Sequence, residues 1–295
     1  MNTSTKNNSL FLKIPVLSAF AAILIAVPLR IFQYLKLIDP STGFYNEKDF
    51  SVIILYAILV IVMILSIVLP YLKHKTIQPV SVEKSSKVFL AVSLLMALGT
   101  AIDAVGLITD FVDLISDVPQ YIDRKSLTEY ISAQGGTLIL IQGVFAIISA
   151  FYFVISGLSA LNEKMKAKFK ILALSPVVWC VFRLLLRFKR TIAFINVSDL
   201  LLELFAIVFA MVFFLAIAQI RAKIDADSIF WKIFAYGIPT AVLAVVCFLP
   251  RFILLITGNS EMINALHPIY ASDLTLAIYA GYICISSLKS EPKES

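Results

Sequence analysis

The chain has 295 residues, of which 60% are hydrophobic and only 15% charged, with a formal net charge of +6. Its mean hydropathy is +0.93, whereas a soluble domain is about half apolar and a quarter charged. These proportions describe a membrane protein. They argue against a soluble enzyme, a disulfide-stapled secreted fold and a disordered chain. A nucleic-acid reader is excluded too, because the positive charge is scattered through short loops between apolar blocks and not gathered on one face.

A helix that crosses about 30 Å of hydrocarbon needs about 20 mostly apolar residues. Taken from the N-terminus, eight blocks answer to this: Ile14 to Leu35, Phe50 to Leu72, Val88 to Thr109, Thr137 to Leu161, Ile171 to Phe188, Leu200 to Ile220, Ile233 to Ile256 and Tyr270 to Leu288. The fifth is interrupted by Arg183 but regains its pattern at Leu184 to Leu186. The first contains Ala19-Phe20-Ala21 behind a basic stretch, as a signal peptide would. Its apolar run continues to Leu29, so a span fits better. The expected fold is an all-α, polytopic bundle of eight spans in four successive hairpins. One membrane domain covers 14–288, between polar tails at 1–13 and 289–295. The segment from Asp110 to Gly136 reads as the longest loop.

Counting Lys and Arg on each side of this arrangement gives fifteen on the side of the N-terminus, eight on the other, and Arg30 and Arg183 within spans. The positive-inside rule then places both termini in the cytoplasm. Lys outnumbers Arg eighteen to seven, and Ile, Phe and Asn are frequent, which suggests the cytoplasmic membrane of a bacterium. Cys180, Cys247 and Cys284 all fall in apolar blocks and imply neither disulfides nor zinc. His74 and His267 fall in loops, so no imidazole lies within a span to ligate haem.

The charges inside the blocks follow a pattern. Arg30, Asp103, Arg183 and Arg251 lie 17, 16, 13 and 19 residues beyond the last inner lysine of their spans. At about 1.5 Å per residue this is about 20 to 28 Å, the outer third of the bilayer. Glu203 and Asp273, on spans running the other way, reach the same level. Asp103, Asp110, Asp113 and Asp117 share one helical face, as do Arg183, Arg187 and Arg190, while Asp199 and Glu203 are four apart. Stripes of opposite sign at one height predict that the third, fifth and sixth spans are neighbours. Such charges serve either as ion pairs and snorkelling groups that fix helix ends or as the lining of an outward-facing aqueous vestibule.

Small polar residues also align: Gln142, Ser149 and Ser156 on the fourth span; Ser93, Thr100 and Asp103 on the third; Tyr236, Thr240, Cys247 and Arg251 on the seventh. These rows read as packing seams or as a solvated path. Pro28, Pro176, Pro239 and Pro250 are expected to interrupt their helices, as static kinks or hinges. Intramembrane enzymes need a nucleophile with its base, or a metal, at membrane depth. No HExxH, GxGD, P-loop or mid-span retinal lysine occurs, and the one metal-type grouping is Glu261, His267 and Asp273.

The expected function is therefore that of a transporter or permease for a small polar or charged solute. Arg30, Asp103, Asp110, Arg183, Arg187, Glu203, Arg251 and Asp273 form the candidate vestibule, with Asp103 as the cation or proton site and Arg183 and Arg251 as anion contacts. The partners expected are the lipid bilayer, a small solute and another membrane protein or a second copy, with no cofactor, metal or nucleic acid. The alternatives are a non-transporting sensor or accessory subunit, and an enzyme acting on lipid headgroups.

Overall fold

In hydrocarbon the backbone has no water to bond to, so a continuous apolar run closes its hydrogen bonds within itself as a helix. The computed structural model describes residues 3–41, 44–45, 49–72, 86–118, 124–160, 170–190, 197–224, 229–263 and 269–288. Among these residues there are nine α-helices: α1 (Thr3–Lys36), α2 (Phe50–Leu72), α3 (Lys87–Ser116), α4 (Arg124–Ala133), α5 (Gly136–Ser159), α6 (Ser175–Arg190), α7 (Val197–Ala222), α8 (Trp231–Ile256) and α9 (Ala271–Leu288). All but α4 belong to segments long and apolar enough to cross a membrane, which gives eight candidate spans. The protein is an all-α polytopic bundle.

Consecutive spans pack as hairpins: α1 with α2, α3 with α5, α6 with α7 and α8 with α9. Six of them also close a ring, in the order α3, α5, α6, α7, α8, α9 and back to α3, while α1 and α2 lean on the outside of α8. Their places show in burial. In its most apolar window α8 is 67% buried and α2 only 22%, so α2 spends its apolar surface on lipid. Inside the ring, Phe153 lies 5.3 Å from Tyr279 and 5.7 Å from Phe214, ring centre to ring centre. Phe213 and Phe234 are fully buried beside them in the same core.

The neighbour relation expected from the charge stripes is corrected in one respect. The fifth and sixth spans, α6 and α7, do pack together, but α5 stands between α3 and α6. Chain geometry decides this. The α4–α5 junction turns through Gly135, whose φ of +83° suits glycine, and α5 then returns along α3. On its other side α3 meets α9 at Gly99, where an added Cβ would come within 2.2 Å of Thr275 Oγ1.

Two further expectations change. The loop from Asp110 to Gly136 is largely helical, because α3 continues to Ser116 and α4 follows. Leu127, Tyr130 and Ile131 are too few apolar residues for a span, but their spacing gives α4 one face to lay on α5. The prolines do not break the helices: α1 continues through Pro15 and Pro28, and α8 through Pro239 and Pro250. Pro176 is the second residue of α6, behind a 3₁₀ turn at Ile171–Leu174. There its missing N–H removes no intrahelical bond.

Candidate functional site

The N-terminus of α9 organises the site. The first N–H groups of a helix have no partner within it and carry partial positive charge. Asp103, from the middle of α3, supplies the missing acceptors: its Oδ1 accepts from the Ala271 N–H at 2.8 Å and its Oδ2 from the Ser272 N–H at 3.2 Å. The Ser272 hydroxyl in turn accepts from Arg183 Nη1 at 3.2 Å. Arg183 Nη2 lies 2.7 Å from Asp273 Oδ1 and 3.7 Å from Glu203 Oε1.

Arg187, one turn along α6, places Nη2 at 2.6 and 2.5 Å from the two oxygens of Glu203. Tyr270 lies against both guanidinium groups, its ring centre 4.4 Å from Arg183 Cζ and 5.6 Å from Arg187 Cζ. Trp179 faces Arg183 at 5.7 Å. These are cation–π distances, in a setting poor enough in water for the attraction to count. The result is a belt of charged side chains from α3, α6, α7 and α9, almost wholly removed from solvent. At its centre Trp179, Cys180, Arg183, Glu203, Cys247 and Asp273 border a cavity of about 10 Å³, about the room one water needs.

A second cluster adjoins the belt on α1, α2 and α8. Arg30 Nη1 donates to Gln33 Oε1 at 2.9 Å and to the Tyr45 hydroxyl at 2.6 Å, and Gln33 Nε2 donates to Ser51 Oγ at 3.4 Å. Arg251 Nε donates to the Tyr34 hydroxyl at 3.1 Å, while the Tyr34 ring also lies 4.8 Å from Arg30 Cζ. Tyr45 arrives there because the chain turns back after α1. The Asp39 N–H donates to Phe44 O at 3.0 Å, and Ile38 pairs with Tyr45 in an isolated antiparallel bridge.

Of the candidate residues, Asp103, Arg183, Arg187, Glu203 and Asp273 meet in the belt, and Arg30 and Arg251 form the adjoining cluster. Asp110 stays outside. It lines an open groove with Asp113, Asp117, Gln134 and Lys189, two turns along α3 from Asp103. The side chains of Arg190 and Asp199 fall outside the described residues, as does His267 of the grouping with Glu261 and Asp273. The direct facing of Asp103 and Arg183 expected from the stripes is corrected to a connection through Ser272. The cause is that the α9 terminus takes both carboxylate oxygens.

The polar rows have another character. Ser149 donates to Phe145 O, Thr100 to Met96 O and Ala97 O, and Thr240 to Tyr236 O, each bond staying within its own helix. Gln142, Ser149 and Ser156 are buried, and beside them at Gly157 an added Cβ would come within 3.1 Å of Ser93 Cβ. This is close helix packing.

Sequence reasoning missed several participants. Arg221, counted among the loop charges, is folded inward at the opposite end of α7 from Glu203, with Nη2 donating to Ser156 Oγ and Cζ 4.8 Å from the Tyr152 ring. Its place in the last turn of α7, directly after the apolar block, was the available signal. Ser272, Tyr34, Tyr45, Trp179 and Tyr270 carried none, since neutral and aromatic residues are common at membrane interfaces.

Fold and site together define the class, a multi-pass membrane protein with a buried belt of charge near one end of its bundle. No family model, curated protein or solved structure matches the chain.

Proposed function

We propose that the protein is a permease-like carrier for a small polar or charged solute, reading the belt as the closed form of an outward-facing vestibule. One observation carries this. Charged groups from three ring helices, Arg183 of α6, Glu203 of α7 and Asp273 of α9, converge on a shared cavity, although isolated helix ends could be fixed by separate pairs at the interface. Buried intramembrane charge is costly and tends to mark solute or ion pathways. Below the belt the aromatic interior of the ring closes the path, as an occluded carrier requires. In this reading Arg183 and Arg251 contact an anionic part of the solute, Arg187 and Glu203 hold α6 to α7, and Asp103 keeps the α9 terminus in place.

The test is uptake into proteoliposomes over a panel of amino acids, organic acids, polyamines and inorganic ions. Uptake of a member that is lost in Arg183→Gln, with the variant still folded, supports the carrier. Absence of uptake across the panel, together with a stoichiometric membrane partner in native mass spectrometry, favours the second reading, an accessory subunit. That reading draws on one specific feature, the use of Asp103 as a helix cap, which is a structural task.

A further inference from the structure

The carrier reading leaves the driving ion open, and the inference that follows rests on that reading. We infer that the coupling ion is a proton and that its carriers are the carboxylates of Asp273 and Glu203, facing one another across the cavity between α6, α7, α8 and α9. Both are served by one guanidinium nitrogen, Arg183 Nη2, at 2.7 and 3.7 Å. A proton on Asp273 loosens its hold on that nitrogen without any need for space.

Other ions fit badly. A metal cation takes about six oxygens at about 2.0 to 2.6 Å, and here it would sit against the Arg183 guanidinium in a cavity of about 10 Å³. A halide would sit against two carboxylates. The chemistry of the wall suits water instead. Trp179 Nε1 and Arg183 Nε are buried, and among the described residues neither has a hydrogen-bond partner. Both residues border the cavity with Glu203 and Asp273. A water there accepts from the two N–H groups and donates to the two carboxylates, which uses its full bonding capacity.

Access gives the direction. The Asp273 side chain is 16% exposed and that of Glu203 2%, so a proton enters at Asp273. It binds a carboxylate oxygen there as the contact with Arg183 opens. The cavity water then takes that proton while giving one of its own to Glu203, which restores the Asp273 carboxylate and leaves the water unchanged. Asp103 is ill suited to this part, because it does not border the cavity and its oxygens cap the α9 backbone instead. The charged and titratable groups facing the pair are Asp103 from α3, Cys180, Arg183 and Arg187 from α6, Cys247 and Arg251 from α8, and Tyr270 ahead of α9.

The experiment is an infrared pH titration of the purified full-length protein between about pH 8 and about pH 4, a range that spans ordinary and perturbed carboxyls. The carbonyl stretch of a buried, protonated carboxyl is followed in the wild type and in Asp273→Asn, Glu203→Gln, Asp273→Glu and Asp103→Asn. The band should weaken in each of the first two and be lost when they are combined, return at a shifted position in Asp273→Glu and persist in Asp103→Asn. Thermal unfolding confirms which variants are folded. Trp179 and Trp231 are the only tryptophans, so Trp231→Phe leaves Trp179 as a single reporter. Its indole N–H resonance should move with the same titration, and stay fixed when Asp273→Asn is added. A band that survives Asp273→Asn and Glu203→Gln combined, or vanishes only in Asp103→Asn, overturns the assignment, as does a Trp179 resonance indifferent to pH. Failure of the carrier reading looks different: the band and the Trp179 response remain while the uptake panel stays empty, and the proton site then stands without transport.

Discussion

The charged belt and the α3–α5 seam are both rows of polar residues in an apolar bundle, yet they hold the molecule in opposite ways. In the seam Ser149 and Thr100 each bond a carbonyl of their own helix. Their polarity is thereby neutralised locally, and association there rests on closeness. In the belt no side chain is satisfied by its own helix: Asp103 needs α9, Arg183 needs α7 and α9, and Glu203 needs α6. The difference lies in reach and charge. A hydroxyl on a short stem meets the carbonyl three or four residues back, whereas a buried carboxylate or guanidinium must find an opposite charge on another element.

The largest effect should come from removing the shared acceptor of the belt. Glu203→Ala leaves Arg187 and Arg183 facing each other in low dielectric, and breaking a buried pair costs about 3 to 5 kcal/mol, measured as loss of thermal stability in detergent. A double-mutant cycle on Arg187 and Glu203, with charges exchanged, should give a coupling of about 1 to 3 kcal/mol. The same exchange between Asp103 and Arg183 should recover little, because arginine at 103 cannot cap α9. Full recovery there would restore the direct pairing and break the present account of the belt.

Next come the contacts of closeness. Gly99→Leu forces a side chain into Thr275 and should cost about 1 to 3 kcal/mol as overpacking, with partial relief from Thr275→Ala. Ser149→Ala in the seam should cost below about 1 kcal/mol and leave any uptake unchanged; a large loss of uptake would move the seam into the path. The smallest effect lies outside the membrane. Asp49 caps α2, accepting from the Ser51 N–H at 2.7 Å, and the hydrogen bonds from Ser51 hold its carboxyl below the usual range. Its contribution to stability is present above the ordinary aspartate pKa of about 4 and is lost as pH falls through the lowered value. Asp49→Asn, which keeps an acceptor, should flatten this part of the pH–stability curve.

The sequence alone determined the eight spans, their succession as hairpins and the common level of Arg30, Asp103, Arg183, Glu203, Arg251 and Asp273. Those properties depend on run length and on distance along a helix, which composition and spacing express directly. Spacing also put Arg183 and Arg187 on one face of α6. The tertiary structure alone decided which helices adjoin, and so which charges meet. That α5 separates α3 from α6 follows from the turn at Gly135, which returns α5 along α3, and that Asp103 bonds a helix terminus follows from unpaired N–H groups that no side-chain letter records. The inward turn of Arg221 belongs with these. Whether a charge near a helix end stays with the headgroups or folds into the bundle depends on what the neighbouring helix offers, and for Arg221 the offer is Ser156 and the Tyr152 ring.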